Sequence, residues 1–221
     1  MELIFLGYPG SGKGTQAKLL SDAHDIPQVS TGDMLRQAIA NETALGVAAK
    51  RLMDTGKLVS DKVVIGLVEE RIQKTDALSG FILDGFPRTI SQAQELDRLL
   101  YTYMRTIKGV LNLEVARKKI FDRLTKRRVC TECGRVFNLE FDPPPSSALC
   151  DNCGKRNTII LRPDDSEETV KFRMNVYEEQ TRPLKEYYGS QGKLFTVDGS
   201  LNIVTVQEEI AHKVKEIRLQ A

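Results

Sequence analysis

The chain has 221 residues, of which 41% are hydrophobic and 28% are charged, and its formal net charge is +2. This length is enough for one sizeable core with small additions, and the near-neutral charge gives no sign of a surface for nucleic acids. No apolar run approaches the ~20 residues that cross a membrane, and the residues after Met1 enter a strand pattern directly instead of a leader peptide. We therefore expect a cytoplasmic protein whose partners include neither nucleic acid nor membrane.

A glycine-rich stretch at residues 7–15 follows the apolar run 3–6 and precedes a helical pattern that begins at Gln16. Strand, glycine loop and helix are the context of a phosphate-binding loop, because glycine lets successive N–H groups point at one anion beside a helix N-terminus. Lys13 adds a full positive charge. The usual pattern has Ser or Thr directly after the lysine, whereas here the hydroxyl comes one residue later, at Thr15. The alternative is a turn that binds nothing, which the flanking strand and helix disfavour.

Apolar runs alternate with helical patterns along the rest of the chain. We predict strands at residues 26–30, 81–84, 109–113 and 193–197, and helices at about 34–39, 45–53, 61–72, 91–100, 115–127, 166–188 and 204–219. Residues 130–160 break this rhythm with four cysteines and three consecutive prolines. The alternation predicts an α/β fold with a mostly parallel sheet that is flanked by helices on both faces. Ligands of such sheets gather at the carboxyl ends of the strands.

Gly7 and Asp84 both lie at such strand ends. Asp84 closes the apolar run 81–84, where a carboxylate can hold Mg²⁺ directly or through its waters. Alone, Asp84 would be interpreted as a residue that opens a turn, but a phosphate loop on a neighbouring strand favours the Mg²⁺ interpretation. A single arginine is usually a solvated surface charge, so arginines gain meaning here only together with the loop and Asp84. Those of interest are Arg36, Arg88, Arg123, Arg127, Arg162 and Arg173.

The four cysteines follow the spacing C-x₂-C-x₁₆-C-x₂-C, at Cys130, Cys133, Cys150 and Cys153. Four thiolates in two such turns fit a tetrahedral Zn²⁺ with no open position, which indicates a structural metal. Disulfides or four unconnected thiols are the alternatives, and iron or cobalt also accepts four thiolates. Zinc ribbons can bind nucleic acids or proteins, so the quartet alone does not indicate catalysis.

Taken in order, these segments resemble the adenylate kinase family, in its long-lid form with a four-cysteine zinc-binding lid, over nearly the whole chain. The matching segments are residues 7–16, 30–36, 56–59, 84–89 with Gln92, 122–128, the four cysteines, 162–165 and 167–173. The resemblance implies a P-loop NTPase core at 1–29, 60–125 and 165–221, with an AMP-binding insert at 30–59 and a lid at 126–164. It also implies a monomer that reversibly transfers a phosphoryl group from Mg·ATP to AMP, giving two ADP.

The resemblance further implies a role for each matching residue. Implied contacts to ATP are Gly10, Ser11, Gly12, Lys13, Gly14, Thr15, Arg127, Val136, Phe137 and Leu201. Implied contacts to AMP are Thr31, Arg36, Lys57, Leu58, Val59, Gly85, Phe86, Pro87, Arg88, Gln92, Arg162 and Arg173. Implied catalytic residues are Lys13, Arg88, Arg123, Arg162 and Arg173, with Asp84 holding Mg²⁺ through water. The Gln92 amide suits adenine because it can both donate and accept hydrogen bonds.

Two other functions fit parts of this pattern. The first is a kinase for another nucleoside monophosphate, against which the long lid and Gln92 argue. The second is a zinc-ribbon binding module that uses a nucleotide only as a switch. That module would need a basic face outside the cleft, for which a net charge of +2 offers little, and it would leave Arg36, Arg88 and Gln92 unexplained.

Overall fold

The structure is a computed structural model that describes residues 1–146 and 149–220. Its strands are β1 (Glu2–Leu6), β2 (Gln28–Ser30), β3 (Phe81–Asp84), β4 (Gly109–Glu114), β5 (Arg127–Cys130), β6 (Val136–Asn138), β7 (Ile159–Ile160) and β8 (Leu194–Asp198). Its α-helices are α1 (Lys13–His24), α2 (Thr31–Ala40), α3 (Ala44–Asp54), α4 (Asp61–Ile72), α5 (Ile90–Thr102), α6 (Arg117–Thr125), α7 (Glu167–Val176), α8 (Leu184–Gly189) and α9 (Ile203–Gln220).

Five strands form one parallel sheet in the order β2-β3-β1-β4-β8. Strand β1 lies at its centre, and Phe5 on β1 aligns with Asp84 on β3 and with Leu111 on β4. This confirms the predicted α/β class with a parallel sheet. Because all five strands run in the same direction, the residues that follow β1, β3 and β4 meet at one edge of the sheet.

Side chains of β1 alternate between two buried clusters, as the strand geometry requires. Leu3 and Phe5 pack with helices α1 and α9, whereas Ile4 and Leu6 pack with α4, α5 and α8. Helices therefore cover both faces of the sheet, which is why its strands are apolar runs and do not alternate with polar residues.

Individual polar residues and glycines mark the ends of several helices. The Ser30 hydroxyl caps α2 by accepting a hydrogen bond from the Asp33 N–H, and Gly56 follows α3 with a φ of +75°. Ser60 occupies the N-cap position of α4, although within the described residues its side chain makes no capping hydrogen bond.

The long helix expected over residues 166–188 is interrupted. Helix α7 ends at Val176, a π-helical turn occupies Tyr177–Thr181, and α8 begins at Leu184. Pro183 has no backbone N–H, so it cannot continue the regular hydrogen-bond ladder across this point. The chain therefore changes its helical pitch beside the sheet edge where the phosphate loop lies.

Strands β5, β6 and β7 form a second, antiparallel sheet in the order β6-β5-β7. Its short strands were not predicted, because two- to four-residue strands give no usable periodicity. Within residues 1–146 and 149–220, no helix combines the length and the apolar character that crossing a membrane would require.

Candidate active site

The glycine loop at residues 7–12 connects β1 to α1 and folds closely over its neighbours. Gly10 has a φ of +81°, and a Cβ there would lie 2.7 Å from Cγ of Leu124 on α6, so the position excludes larger residues. Lys13 is the first residue of α1, and its ammonium donates hydrogen bonds to the carbonyl oxygens of Gly7 (2.8 Å) and Tyr8 (2.7 Å). The loop therefore holds the lysine charge over its own backbone.

Asp84 lies directly beside this loop. Its Oδ2 accepts a hydrogen bond of 3.1 Å from the Gln28 amide, and it would lie 3.3 Å from a Cβ at Gly14. Burial raises the pKa of Asp84, an effect that Lys13 opposes. Burial likewise lowers the pKa of Lys13 to about 8, and Asp84 opposes that shift. A carboxylate at this position, within reach of anionic phosphates, has the chemistry that Mg²⁺ requires.

A cavity opens between α2, the turn after α3 and the turn after β3. Nine residues assigned to AMP line it, namely Thr31, Arg36, Lys57, Leu58, Val59, Gly85, Arg88, Gln92 and Arg173. Gly32, Leu35, Met53, Gly56, Val64 and Asp164 complete the lining. Phe86 lies in the hydrophobic core instead, with 1% of its surface exposed, and neither Pro87 nor Arg162 belongs to the lining. The structure thus brings most of this predicted set together around one cavity.

Gln92 lies at the buried end of this cavity with both ends of its amide engaged. Its Oε1 accepts a hydrogen bond from the Arg88 backbone N–H, and its Nε2 donates to Asp61 Oδ1, each at 2.7 Å. A carboxylate accepts and a backbone N–H donates, so Asp61 and Arg88 together determine which way the amide points. The amide retains one further N–H and one further lone pair, which are the groups that a ligand base could use.

Arginines from four parts of the chain converge near the cavity. Arg127 donates two hydrogen bonds of 2.7 Å to the buried carboxylate of Asp165. Arg173 donates to the same carboxylate at 3.0 Å and pairs with Asp164 at 2.9 Å. Within the described residues, the buried Nε of Arg162 has no hydrogen-bond partner. An unpartnered buried donor costs free energy, so Arg162 retains capacity for an acceptor that enters the site.

Burial and the crowding of cations lower the pKa values of arginines in this region. Burial and, as the next cause, the charge of Arg173 lower the pKa of Arg88 to about 10. Burial also lowers the pKa of Arg162 to about 9, with Arg127 as the next cause. Cations that destabilise one another's charge gain stability when an anion enters between them. The arrangement therefore suits a ligand with several phosphate charges.

Arg123 lies on the other side of the glycine loop. Its guanidinium donates to the carbonyl oxygens of Gly199 (2.9 Å) and Ser11 (3.5 Å), and so joins the loop to the turn after β8. Gln16 on α1 reaches the same turn, where its amide donates to the Ile203 carbonyl at 2.9 Å. Leu201, which is 39% exposed, lies between these two contacts. The turn that carries Leu201 is therefore held against the glycine loop.

The two lid residues assigned to the nucleotide face different surroundings. Val136 is partly exposed, whereas the Phe137 ring is 1% exposed and packs with Cys130 and Cys150. The Arg135 guanidinium covers that ring at 4.8 Å. Stacking of the Phe137 ring on a base does not fit this burial, so contact with a nucleotide would come from its backbone or from Val136.

The four cysteines converge in the lid. Their sulfur atoms all lie within 4.8 Å of one another, with Cys130 and Cys153 3.7 Å apart and Cys133 and Cys150 3.6 Å apart. A tetrahedral zinc with Zn–S bonds of ~2.3 Å separates its sulfurs by ~3.8 Å, whereas a disulfide brings them to ~2.05 Å. The cluster is therefore consistent with a structural zinc ion and not with disulfides.

Comparison with known proteins decides the family. Residues 5–193 match the adenylate kinase family model. The chain belongs to the adenylate kinase family. Adenylate kinases from Archaeoglobus fulgidus and Nitrosococcus oceani are 49% and 47% identical to it over 218 residues, which is 99% of this chain and all of each relative. The adenylate kinase from Syntrophobacter fumaroxidans is 53% identical over 199 residues, 90% of this chain and 92% of the relative. The activity is accordingly adenylate kinase activity, the conversion of ATP and AMP to two ADP.

Several residues that shape this adenylate kinase site were not identified from the sequence. Asp61 orients Gln92 from 31 positions away, and Asp165 holds two arginines from different elements. Asp164 and Asp165 directly follow Arg162-Pro163, and such a run of acids beside an arginine-rich site is a signal that could have suggested pairing. Asp61 gave no signal beyond the start of a helix.

Proposed function

We propose that the cavity between α2 and β3 holds AMP, and that the glycine loop at residues 7–15 holds the phosphates of Mg·ATP. The observation that supports this division is the position of the cation cluster. Four cations lie between the loop and the cavity, and their pKa values are lowered by one another or by shared charged neighbours. They are Lys13, Arg88, Arg162 and Arg173. Phosphoryl transfer asks mainly for positioning and for stabilisation of charge on the moving group, which such a cluster supplies.

On the donor side, backbone N–H groups of residues 10–15 would surround the phosphates, and Lys13 would leave its carbonyl partners to reach the outer ones. Arg123 and Arg127 would approach from α6 and from the lid. Leu201 and Val136 would contact the base of ATP. Recognition of that base would therefore depend on a largely apolar surface. Asp84 would hold Mg²⁺ through water, and the ion, when bound, neutralises phosphate charge.

On the acceptor side, Arg36, Arg88 and Arg173 would bind the AMP phosphate, with the unpartnered Arg162 Nε as a further donor. Thr31, Gly85 and residues 57–59 would enclose the nucleoside. The remaining N–H and lone pair of Gln92 would meet the edge of adenine. An adenine edge presents both a donor and an acceptor, so an amide held by Asp61 discriminates among bases.

Residues 30–59 and 126–164 would act as two mobile inserts on the core at 1–29, 60–125 and 165–221. Their closure would exclude water, which prevents wasteful hydrolysis of ATP at an arginine-rich site. We propose Zn²⁺ at the four cysteines as the structural metal that keeps the lid rigid. The lid would then move around its ends near Lys126 and Asp164. We further propose that the enzyme acts as a monomer in the cytoplasm, whose reducing conditions suit four metal-binding thiols.

A phosphoryl-transfer assay with Mg·ATP against AMP, UMP, CMP and GMP tests the acceptor assignment. We expect ADP formation with AMP to exceed that with each other acceptor by at least about tenfold, the discrimination that a few polar contacts provide. Comparable turnover with UMP or CMP would overturn the role of Gln92 while keeping the fold. The same assay with Arg88→Lys should retain the fold but lose turnover, because an ammonium cannot replace the two-pronged guanidinium.

A further inference from the structure

Tyr8, the second residue of the glycine loop, points away from the proposed phosphate site and contacts a distant helix. Its ring lies against that of Tyr177, with the ring centroids 4.1 Å apart and the planes inclined by 32°. Its hydroxyl donates a hydrogen bond to Oε1 of Glu178, 170 positions along the chain. The other carboxylate oxygen of Glu178 accepts from Arg182 at 3.0 Å, so the acceptor is itself held in place.

These partners lie on the π-helical turn Tyr177–Thr181, one turn after Arg173 of α7. The last residue of the turn, Thr181, donates a hydrogen bond of 2.9 Å from its hydroxyl to the Arg88 carbonyl oxygen. A single turn therefore contacts the glycine loop at one end and the segment after β3 at the other. Isolated π-helical turns are frequent at functional sites, because they re-aim side chains within a helix.

The space behind the loop is a cavity of about 210 Å³, lined in part by Tyr8, Val115, Tyr177, Glu178 and Arg182. The Tyr8 side chain borders this cavity and also packs against the buried cluster that contains Val115, Leu124 and Met174. The stacked rings and the hydrogen bond to Glu178 add directional contacts that join this side of the loop to the π-helical turn.

We propose that Tyr8, held by Tyr177 and Glu178, is a positioning residue that fixes the glycine loop relative to Arg173. The link to the reacting groups is short, because the Lys13 ammonium rests on the Tyr8 carbonyl oxygen at 2.7 Å. A shift of the Tyr8 backbone displaces the lysine while Arg173 stays with α7. Misplacement of a reacting group by ~1 Å can cost about 100-fold in rate. The inference rests on the phosphate role proposed for residues 7–15.

The test compares Tyr8→Phe, Glu178→Ala and the double variant. We expect each single variant to lower kcat about tenfold, within the range for a small misplacement, with the KM for AMP unchanged. The double variant should lose no more than either single one, because residues that act as one unit are not additive. Glu178→Gln keeps an acceptor oxygen and should restore most of kcat. Glu179→Ala is the matched control, since Glu179 is an exposed neighbour in the same turn.

Three results would overturn the proposal. The first is a lower melting temperature of Tyr8→Phe with an unchanged kcat, which would make the contact merely structural. The second is an additive loss in the double variant, and the third is an effect on the KM for AMP alone. A separate measurement on Lys13→Met distinguishes these failures from failure of the proposed function. If that variant turned over normally, the phosphate loop assignment itself would be wrong, whatever Tyr8 does.

Discussion

Arg127 and Asp165 connect the segments on either side of the three-stranded lid sheet through a pair of hydrogen bonds, each 2.7 Å long. Arg127 opens β5, the first strand of that sheet, and Asp165 lies between β7, its last strand, and α7. The Asp165 side chain is fully buried and also accepts a hydrogen bond from Arg173. This carboxylate therefore joins the base of the lid to the helix that carries a proposed catalytic arginine.

We expect Asp165→Asn to lower the free energy of unfolding by about 3–5 kcal/mol, since it leaves the largely buried Arg127 without its charge partner and leaves Arg173 with Asp164 alone. Urea denaturation followed by circular dichroism measures this change. Asp142→Asn is the control, because Asp142 pairs with Arg135 at the lid surface, where an ion pair contributes about 1 kcal/mol or less. Equal losses in the two variants would show that the Asp165 pairs contribute no more than a surface pair.

Lys13→Met removes the ammonium and keeps a side chain of similar length. We expect kcat to fall by at least about 100-fold, as when one group that stabilises transition-state charge is lost. The fold should persist, because the hydrogen bonds of the lysine go to the backbone carbonyl oxygens of Gly7 and Tyr8, and it belongs to none of the hydrophobic clusters among the described residues. Circular dichroism and steady-state kinetics on the same sample separate the two effects. Lys18→Met, an exposed lysine on the same helix, should leave kcat unchanged.

The lowered pKa of Lys13 also predicts how stability depends on pH. Burial lowers this pKa from 10.5 to about 8, so between these values the unfolded chain binds more protons at this site than the folded one. The wild type therefore gains stability from this group as the pH rises from about 8 to about 10.5. Lys13→Met lacks that gain. Its melting temperature should exceed the wild-type value most clearly at pH 7, and the difference should shrink at pH 10. A difference in melting temperature that stays the same at pH 7 and pH 10 would contradict the lowered pKa of Lys13.

The sequence predicted the elements that carry strong local signals. The strand at 81–84 and the glycine loop each depend on a few adjacent residues, and each lies where the sequence predicts it. The cysteine spacing likewise predicted a cluster that the fold brings together. Each C-x-x-C turn spans four consecutive residues. Little of the surrounding fold was therefore needed to infer that the two cysteines of a turn lie close together.

Contacts over long separations could not be predicted in this way. Nothing near Tyr8 indicates that its hydroxyl meets Glu178, because the two approach only when β1 and α7 pack on the same sheet edge. The π-helical turn that presents Glu178 depends on the packing on either side of it and on Pro183 after it. Burial of the Phe137 ring follows from the three-stranded lid sheet, which the sequence did not reveal.

Metal removal tests the cysteine cluster. The purified protein should contain zinc at about one ion per chain, and chelation should destabilise residues 126–164 before the core, because a small unit held by a metal has little core of its own. Hydrogen exchange resolved by segment measures this order. Cys133→Ser should behave like the chelated protein. An unchanged exchange pattern after verified metal loss would show that the sulfur cluster does not stabilise the lid.

Gln92→Met tests base recognition with a side chain of nearly equal volume. The substitution removes the only groups through which this position could read adenine, so we expect the KM for AMP to rise about tenfold, the effect of losing one to two hydrogen bonds. The KM for ATP should not change, since Gln92 lies in the cavity lined by Arg36 and Arg88 and not at the glycine loop. Asp61→Asn is the companion variant, because an amide at 61 can also donate and leaves only the Arg88 N–H to orient Gln92. If Asp61→Asn relaxed the preference for AMP over GMP while Gln92→Met abolished it, the carboxylate would act through the glutamine. If neither variant altered that preference, adenine would be recognised elsewhere in the cavity.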